Sequence, residues 1–335
     1  MRLTLSEPRM VAEARQQSRS HPLIVEILIW IAVFIVAGLV IEGTLQMIVL
    51  LPQILTSDAF RELMQTAVAS GTAEISYDKI AQLTMDTLTI NGPYTMLWML
   101  FSTLGLIAGV LIYVRAIERR RFTTMGFRRG HALREYLLGL LVGAVVFSAS
   151  IGICVATGSM TYEGFVLGSL GLLALFFVGF MVQGLSEELL CRGYFMVSLA
   201  RRQRLWVAVI ISSLFFAALH LGNNGIFDTP FTLLNLTLFG VFAGIYILKR
   251  GNIWGAAAIH SVWNFVQGNL YGLPVSGGGR METVFAFTPV REGVAPLING
   301  GAFGPEGGLA VTAVLLVGCV ILLLMKTNPA EKVET

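Results

Sequence analysis

The chain has 335 residues, of which 55% are hydrophobic and 13% charged, with a net charge of +3 and a mean hydropathy of +0.75. A soluble domain carries roughly 25% charged residues, so this chain lacks the polar surface for a water-soluble fold and is expected to sit largely in lipid. The small net charge and the lack of a basic stripe interleaved with aromatics exclude a nucleic-acid partner, and three scattered cysteines in apolar segments (Cys154, Cys191, Cys319) exclude a disulfide framework or a paired-cysteine metal site.

Residues 1–22 form a polar, basic tail with Arg2, Arg9, Arg15 and Arg19. The first apolar run, 23–44, starts late and has no small-residue cleavage site, so it reads as a span rather than a secretory signal. Residues 53–92 mix Leu, Ile and Met at near-helical spacing with Asp58, Glu62, Glu74, Asp78 and Asp86, the pattern of interfacial amphipathic helices. Further apolar runs follow at 94–114, 136–156, 166–186 with an extension to 200, 205–220, 231–248, 252–270 and 308–325. Each is about long enough to cross ~30 Å of hydrocarbon at ~1.5 Å per residue. The expected architecture is therefore all-α, a polytopic bundle of about eight transmembrane helices. Its parts are two N-terminal spans within 23–120, a core at 125–270, a glycine-rich outer loop or lid at 271–307, and a last span with its tail at 308–335. With the N-terminus inside, nineteen of the 23 basic residues fall on the cytoplasmic side, and only Arg61, Lys79, Arg280 and Arg291 lie outside. This asymmetry predicts an inner-membrane protein with both termini cytoplasmic.

Ionisable groups inside a span are costly and point to function by default. Here they are Glu187, Glu188, Arg192, His220 and His260, with Asn264 as an uncharged companion; Glu42, near the expected outer end of the first span, reads as reaching the headgroups. Counted from the basic residues at the cytoplasmic edge, Glu187 lies ~21 Å, His220 ~24 Å and His260 ~15 Å along their helices. Three helices thus carry polar groups into the membrane, as a shared site requires. Glu188 and Arg192 are four apart and share a helix face, where they can form an ion pair. That leaves Glu187 about 100° away, unmatched and available as a general base for water. Phe216 and His220, and likewise His260 and Asn264, are i,i+4 pairs. One carboxylate, two imidazoles and one carboxamide from separate helices can activate a water and stabilise an oxyanion. The plainer alternative, in which the histidines and Asn264 only hydrogen-bond neighbouring helices, does not explain two of the chain's four histidines standing mid-span on different helices.

Three elements, EExxxR (Glu187, Glu188, Arg192), FxxxH (Phe216, His220) and HxxxN (His260, Asn264), stand in that order on successive hydrophobic runs. In this the chain resembles the CPBP family of intramembrane proteases, which includes CAAX prenyl endopeptidases and bacterial Abi-type proteins. The resemblance covers about 140 residues, from Met125 to about Gln267, with bacterial-type segments at Gly272–Gly277 and Phe303–Gly307. It implies an endopeptidase acting on a membrane-associated protein or peptide, with Glu187 as the base, His220 its partner, and His260 and Asn264 binding the oxyanion; Glu188, Arg192 and Phe216 would support them. CAAX cleavage belongs to the eukaryotic relatives, so whether the substrate here is prenylated stays open. Glu187, His220 and His260 would also suffice as a zinc set, but the chain has no HExxH, and a metal-free arrangement uses each residue once. Two rival readings are a catalytically silent membrane scaffold or immunity-type protein of the same fold, and a proton-coupled transporter, for which the paired halves of an inverted repeat are missing from the sequence.

Overall fold

The computed structural model describes residues 5, 7–17, 21–70 and 92–326. Its helices are α1 (Arg9–Gln17), α2 (Leu23–Thr56), α3 (Asp58–Ser70), α4 (Gly92–Ile117), α5 (Ala132–Ala156), α6 (Leu170–Ala200), α7 (Leu205–Ala218), α8 (Thr232–Arg250), α9 (Trp254–Phe265, continued by a π turn Val266–Leu270), α10 (Ala295–Asn299) and α11 (Leu309–Leu324). Two short strands, β1 (Met160–Phe165) and β2 (Phe285–Pro289), pair antiparallel. The molecule is an all-α, multi-pass membrane bundle. Among the described residues, five helices, α2, α4, α5, α6 and α8, are long and apolar enough to cross a bilayer. The outer helices show lipid-facing stripes: on α5, Leu133, Leu137, Leu141 and Val145 recur every fourth residue, and all are exposed.

Helices α8 and α9 lie at the centre, and α9 packs chiefly on α5 and α6. Contact between α6 and α9 is close because α6 presents a glycine: a Cβ on Gly184 would lie 2.6 Å from Ser261 Oγ. Helix α9 begins inside the bundle, since Asn252 and Ile253 are buried and the Ile253 amide donates to Gly126 O (3.1 Å).

Several boundaries differ from those read in the sequence. The first span does not end at residue 44. It continues to Thr56 through Glu42 and Pro52, so the expected amphipathic segment 53–92 starts inside this helix, and Glu42 stands mid-helix rather than at the outer end. Helix α3 occupies 58–70, and residues 71–91 lie outside the described residues. Of the eight expected spans, α7 and α11 are shorter apolar helices of 14 and 16 residues, and α9 too is not among the five long ones. Helix α7 ends at Ala218, so His220 stands on the turn after it rather than within a helix. The 271–307 segment, expected to be irregular, contributes β2 and α10 and folds back on the bundle.

Candidate functional site

Helix α6 supplies four polar side chains in two pairs. Gln183 and Glu187 share one face, Glu188 and Arg192 the next, each pair one turn apart. Arg192 Nη1 donates to Glu188 Oε1 (3.1 Å), and both side chains are 0% exposed. The Arg192 guanidinium lies 4.2 Å from the centroid of the Phe216 ring, a cation–π contact. Helix α8 makes room for it with Gly240, where a Cβ would come within 2.6 Å of Arg192 Nη2. The supporting pair expected from the sequence is thus present, and its cation rests on Phe216.

The structure adds a partner to Glu188. His260 Nδ1 lies 3.0 Å from the same Oε1 that receives Arg192. A carboxylate held by arginine accepts, so Nδ1 carries the proton and His260 presents Nε2. That Nε2 lies 3.7 Å from Glu187 Oε2. On the other side, His220 Nδ1 lies 2.9 Å from Phe216 O, a carbonyl that can only accept, so His220 too presents Nε2, 4.0 Å from the same Glu187 oxygen. Glu187 Oε2 is buried and has no hydrogen-bond partner among the described residues. Three acceptor atoms therefore converge on one point.

The other oxygen of Glu187 accepts from Gln183 Nε2 (2.6 Å), and Gln183 Oε1 accepts from Asn264 Nδ2 (2.9 Å). Gln183 thus bridges the carboxylate of one motif and the amide of another. Its sequence signal is modest: a polar residue in a span, one turn before Glu187. The rings of Phe216 and Phe239 meet His260 edge-on at 5.8 and 5.0 Å, and Trp263 meets Phe239 at 5.3 Å. This aromatic shell keeps the surroundings of the histidines apolar, where charge interactions are strong. Beside them lies a cavity of about 20 Å³ bounded by His220, His260, Asn264, Trp263, Ser276 and Glu306, enough for one water. Ser276 and Glu306 come from the glycine-rich loop, within the two bacterial-type segments noted in the sequence, where neither was given a role.

Two imidazoles and a carboxylate are zinc-type donors. Among the described residues, however, no group of three or more His, Cys, Asp or Glu side chains is arranged to hold a metal ion. Tetrahedral zinc would bring its donor atoms to about 3.3 Å from one another, whereas the two nitrogens stand 3.7 and 4.0 Å from Glu187 Oε2. The neighbouring carboxylate on α6, Glu188, is already engaged by Arg192 and His260 and is not free to act as the base. As placed, these residues suit a water better than a metal.

Residues 169–266 match the family model described as type II CAAX prenyl endopeptidase Rce1-like, a stretch that contains every motif residue from Glu187 to Asn264. UPF0177 protein YxdF of Lactococcus lactis subsp. lactis (strain IL1403) is 28% identical over 171 residues, which cover 51% of this chain and 84% of that protein. No solved structure matches.

Proposed function

We propose that this chain, a multi-pass membrane protein whose residues 169–266 form an Rce1-like segment, is an endopeptidase that hydrolyses a peptide bond of a membrane-associated substrate with a water activated by Glu187. The observation that carries the reading is the convergence of Glu187 Oε2 with the Nε2 atoms of His220 and His260, both rings fixed through Nδ1. Three acceptors facing one another form a site for a proton donor with two hydrogens, which is water. Glu187 takes one proton as the water oxygen attacks the carbonyl carbon of the scissile bond. The oxyanion that forms is stabilised by the free N–H of Asn264, whereas His260, whose proton Glu188 holds on Nδ1, orients the water through Nε2 rather than binding the oxyanion. Glu187 then returns the proton to the leaving nitrogen as the C–N bond breaks, giving a carboxylic acid and an amine. Gln183 keeps Glu187 and Asn264 in register. The cytoplasmic termini and inner-membrane location expected from the basic residues belong to this same proposal, as does a peptide substrate, prenylated or not.

The test is cleavage of a membrane-tethered peptide library by purified protein in liposomes. Wild type should cleave and Glu187→Gln should lose essentially all turnover while folding normally. Equal turnover by the two proteins would refute the assignment of the base, and inactivity of both would favour the scaffold reading.

A further inference from the structure

Glu306 lies in the loop between β2 and α11 and is 8% exposed. Its carboxylate accepts four hydrogen bonds, all from neutral donors: Trp263 Nε1 to Oε1 (3.2 Å), and Gln267 Nε2 (3.3 Å), the Ser276 amide (2.7 Å) and Ser276 Oγ (2.9 Å) to Oε2. Two donors sit on α9 within two turns of His260; the other two sit on the loop that follows α9. Around this hub the Ser276 carbonyl accepts from Asn223 Nδ2 (2.9 Å), the Gly277 amide donates to Phe303 O (2.9 Å), and the Glu306 carbonyl accepts from Asn235 Nδ2 on α8 (2.7 Å). The loops 271–277 and 303–307, the 219–231 turn and helices α8 and α9 are thus joined beside the cavity that His220, His260 and Asn264 also line. A lid that swings open as one piece would have to strip a buried carboxylate of its charge-assisted bonds from Trp263 and Gln267 and also break the bonds from Asn223 and Asn235.

We propose that Glu306 is a positioning residue for the hydrolysis proposed above: it holds Ser276 and Trp263 together, so that the glycine-rich loop is a fixed wall of the site and not a lid that lifts for substrate. This rests on the endopeptidase reading, so the test has one arm that needs cleavage and one that does not.

The first arm locks the wall. Asp228 Cβ lies 3.8 Å from where a Cβ on Gly301 would stand, the spacing of a disulfide; neither residue belongs to the site, and because Gly301 has a φ of 61° that strains any side chain there, the reduced double variant and not wild type is the reference. Oxidised Asp228→Cys/Gly301→Cys protein should cleave within about twofold of its reduced form, the range set by an unmoved wall. Loss of cleavage on oxidation, restored by reduction, would show a lid and overturn the proposal. Should wild type cleave nothing in the assay where Glu187→Gln is the blank, the endopeptidase reading fails, and the second arm decides the wall alone.

That arm reads accessibility with Val311→Cys, a buried residue lining the cavity, against a background of buried native cysteines. A soluble maleimide should label it at least about tenfold faster when Glu306→Gln is added, because local opening sets access to a buried thiol. Glu306→Gln should also lower kcat about tenfold with little change in KM, since the wall orients the site without binding substrate. Rapid labelling with Glu306 intact, or labelling and kcat both unmoved by Glu306→Gln, would overturn the proposal. Glu306→Gln keeps the side chain's size and one acceptor oxygen; if it still fails to fold, labelling of Val311→Cys in the otherwise wild-type chain decides between wall and lid.

Discussion

Replacing Glu188 by Gln separates the structural role of the acidic pair from its chemical role. Glu188 and Arg192 are both 0% exposed with N and O 3.1 Å apart. At an effective dielectric constant of about 20, that pair is worth about 5 kcal/mol of Coulomb energy, and Gln can recover about 1 kcal/mol of it as a neutral hydrogen bond. Among the described residues Arg192 Nε and Nη2 have no hydrogen-bond partner, so the variant strands a buried cation. The expected destabilisation is about 3–5 kcal/mol, the range for breaking one side of a buried pair. Glu187→Gln should cost far less, because among the described residues Glu187 pairs with no arginine or lysine and its side chain is 22% exposed. Denaturant unfolding of the two variants in the same detergent measures the contrast. A double variant sharpens it: Glu188→Gln with Arg192→Met removes both charges and should regain most of the lost stability. It should remain inactive, because His260 Nδ1 still lacks its carboxylate. Equal unfolding midpoints for Glu187→Gln and Glu188→Gln would refute the reasoning, as would full activity of the double variant.

Further outcomes follow from the same geometry. Gln183→Leu removes the bridge between Glu187 and Asn264 and should lower kcat about 10- to 100-fold with KM little changed, as expected when a group that orients the reacting residues is lost; unchanged steady-state kinetics would contradict the bridge. Activity should survive exhaustive chelation, with no stoichiometric metal by elemental analysis; zinc whose removal abolishes cleavage and whose return restores it would overturn the water-only reading. Single cysteines near residues 60 and 285 should react with an impermeant reagent added to intact cells, and reaction only after permeabilisation would refute the proposed orientation.

The membrane class was legible in composition, and the basic asymmetry gave an orientation to test. The motif residues were legible as well, because lipid makes a buried Glu, Arg or His expensive and helical spacing decides which of them share a face. Spacing paired Glu188 with Arg192 and left Glu187 apart, as the structure has them. It could not say how one helix is turned toward the next. Only packing decided that the oxygen of Glu188 holding Arg192 also fixes His260, that Glu187 faces both histidines, and that Gln183 spans two motifs. The β1–β2 pairing joins residues more than a hundred positions apart, beyond any local pattern. Glu306, in a segment noted as bacterial-type, received no role for a related reason: in a glycine-rich loop a carboxylate reads as solvated, and it becomes a buried hub only when that loop folds against α8 and α9. The sequence by itself determined which side chains had to leave lipid and find polar partners; the tertiary structure decided which partners, because the relative rotation of helices and the course of a long loop depend on contacts summed over the whole bundle.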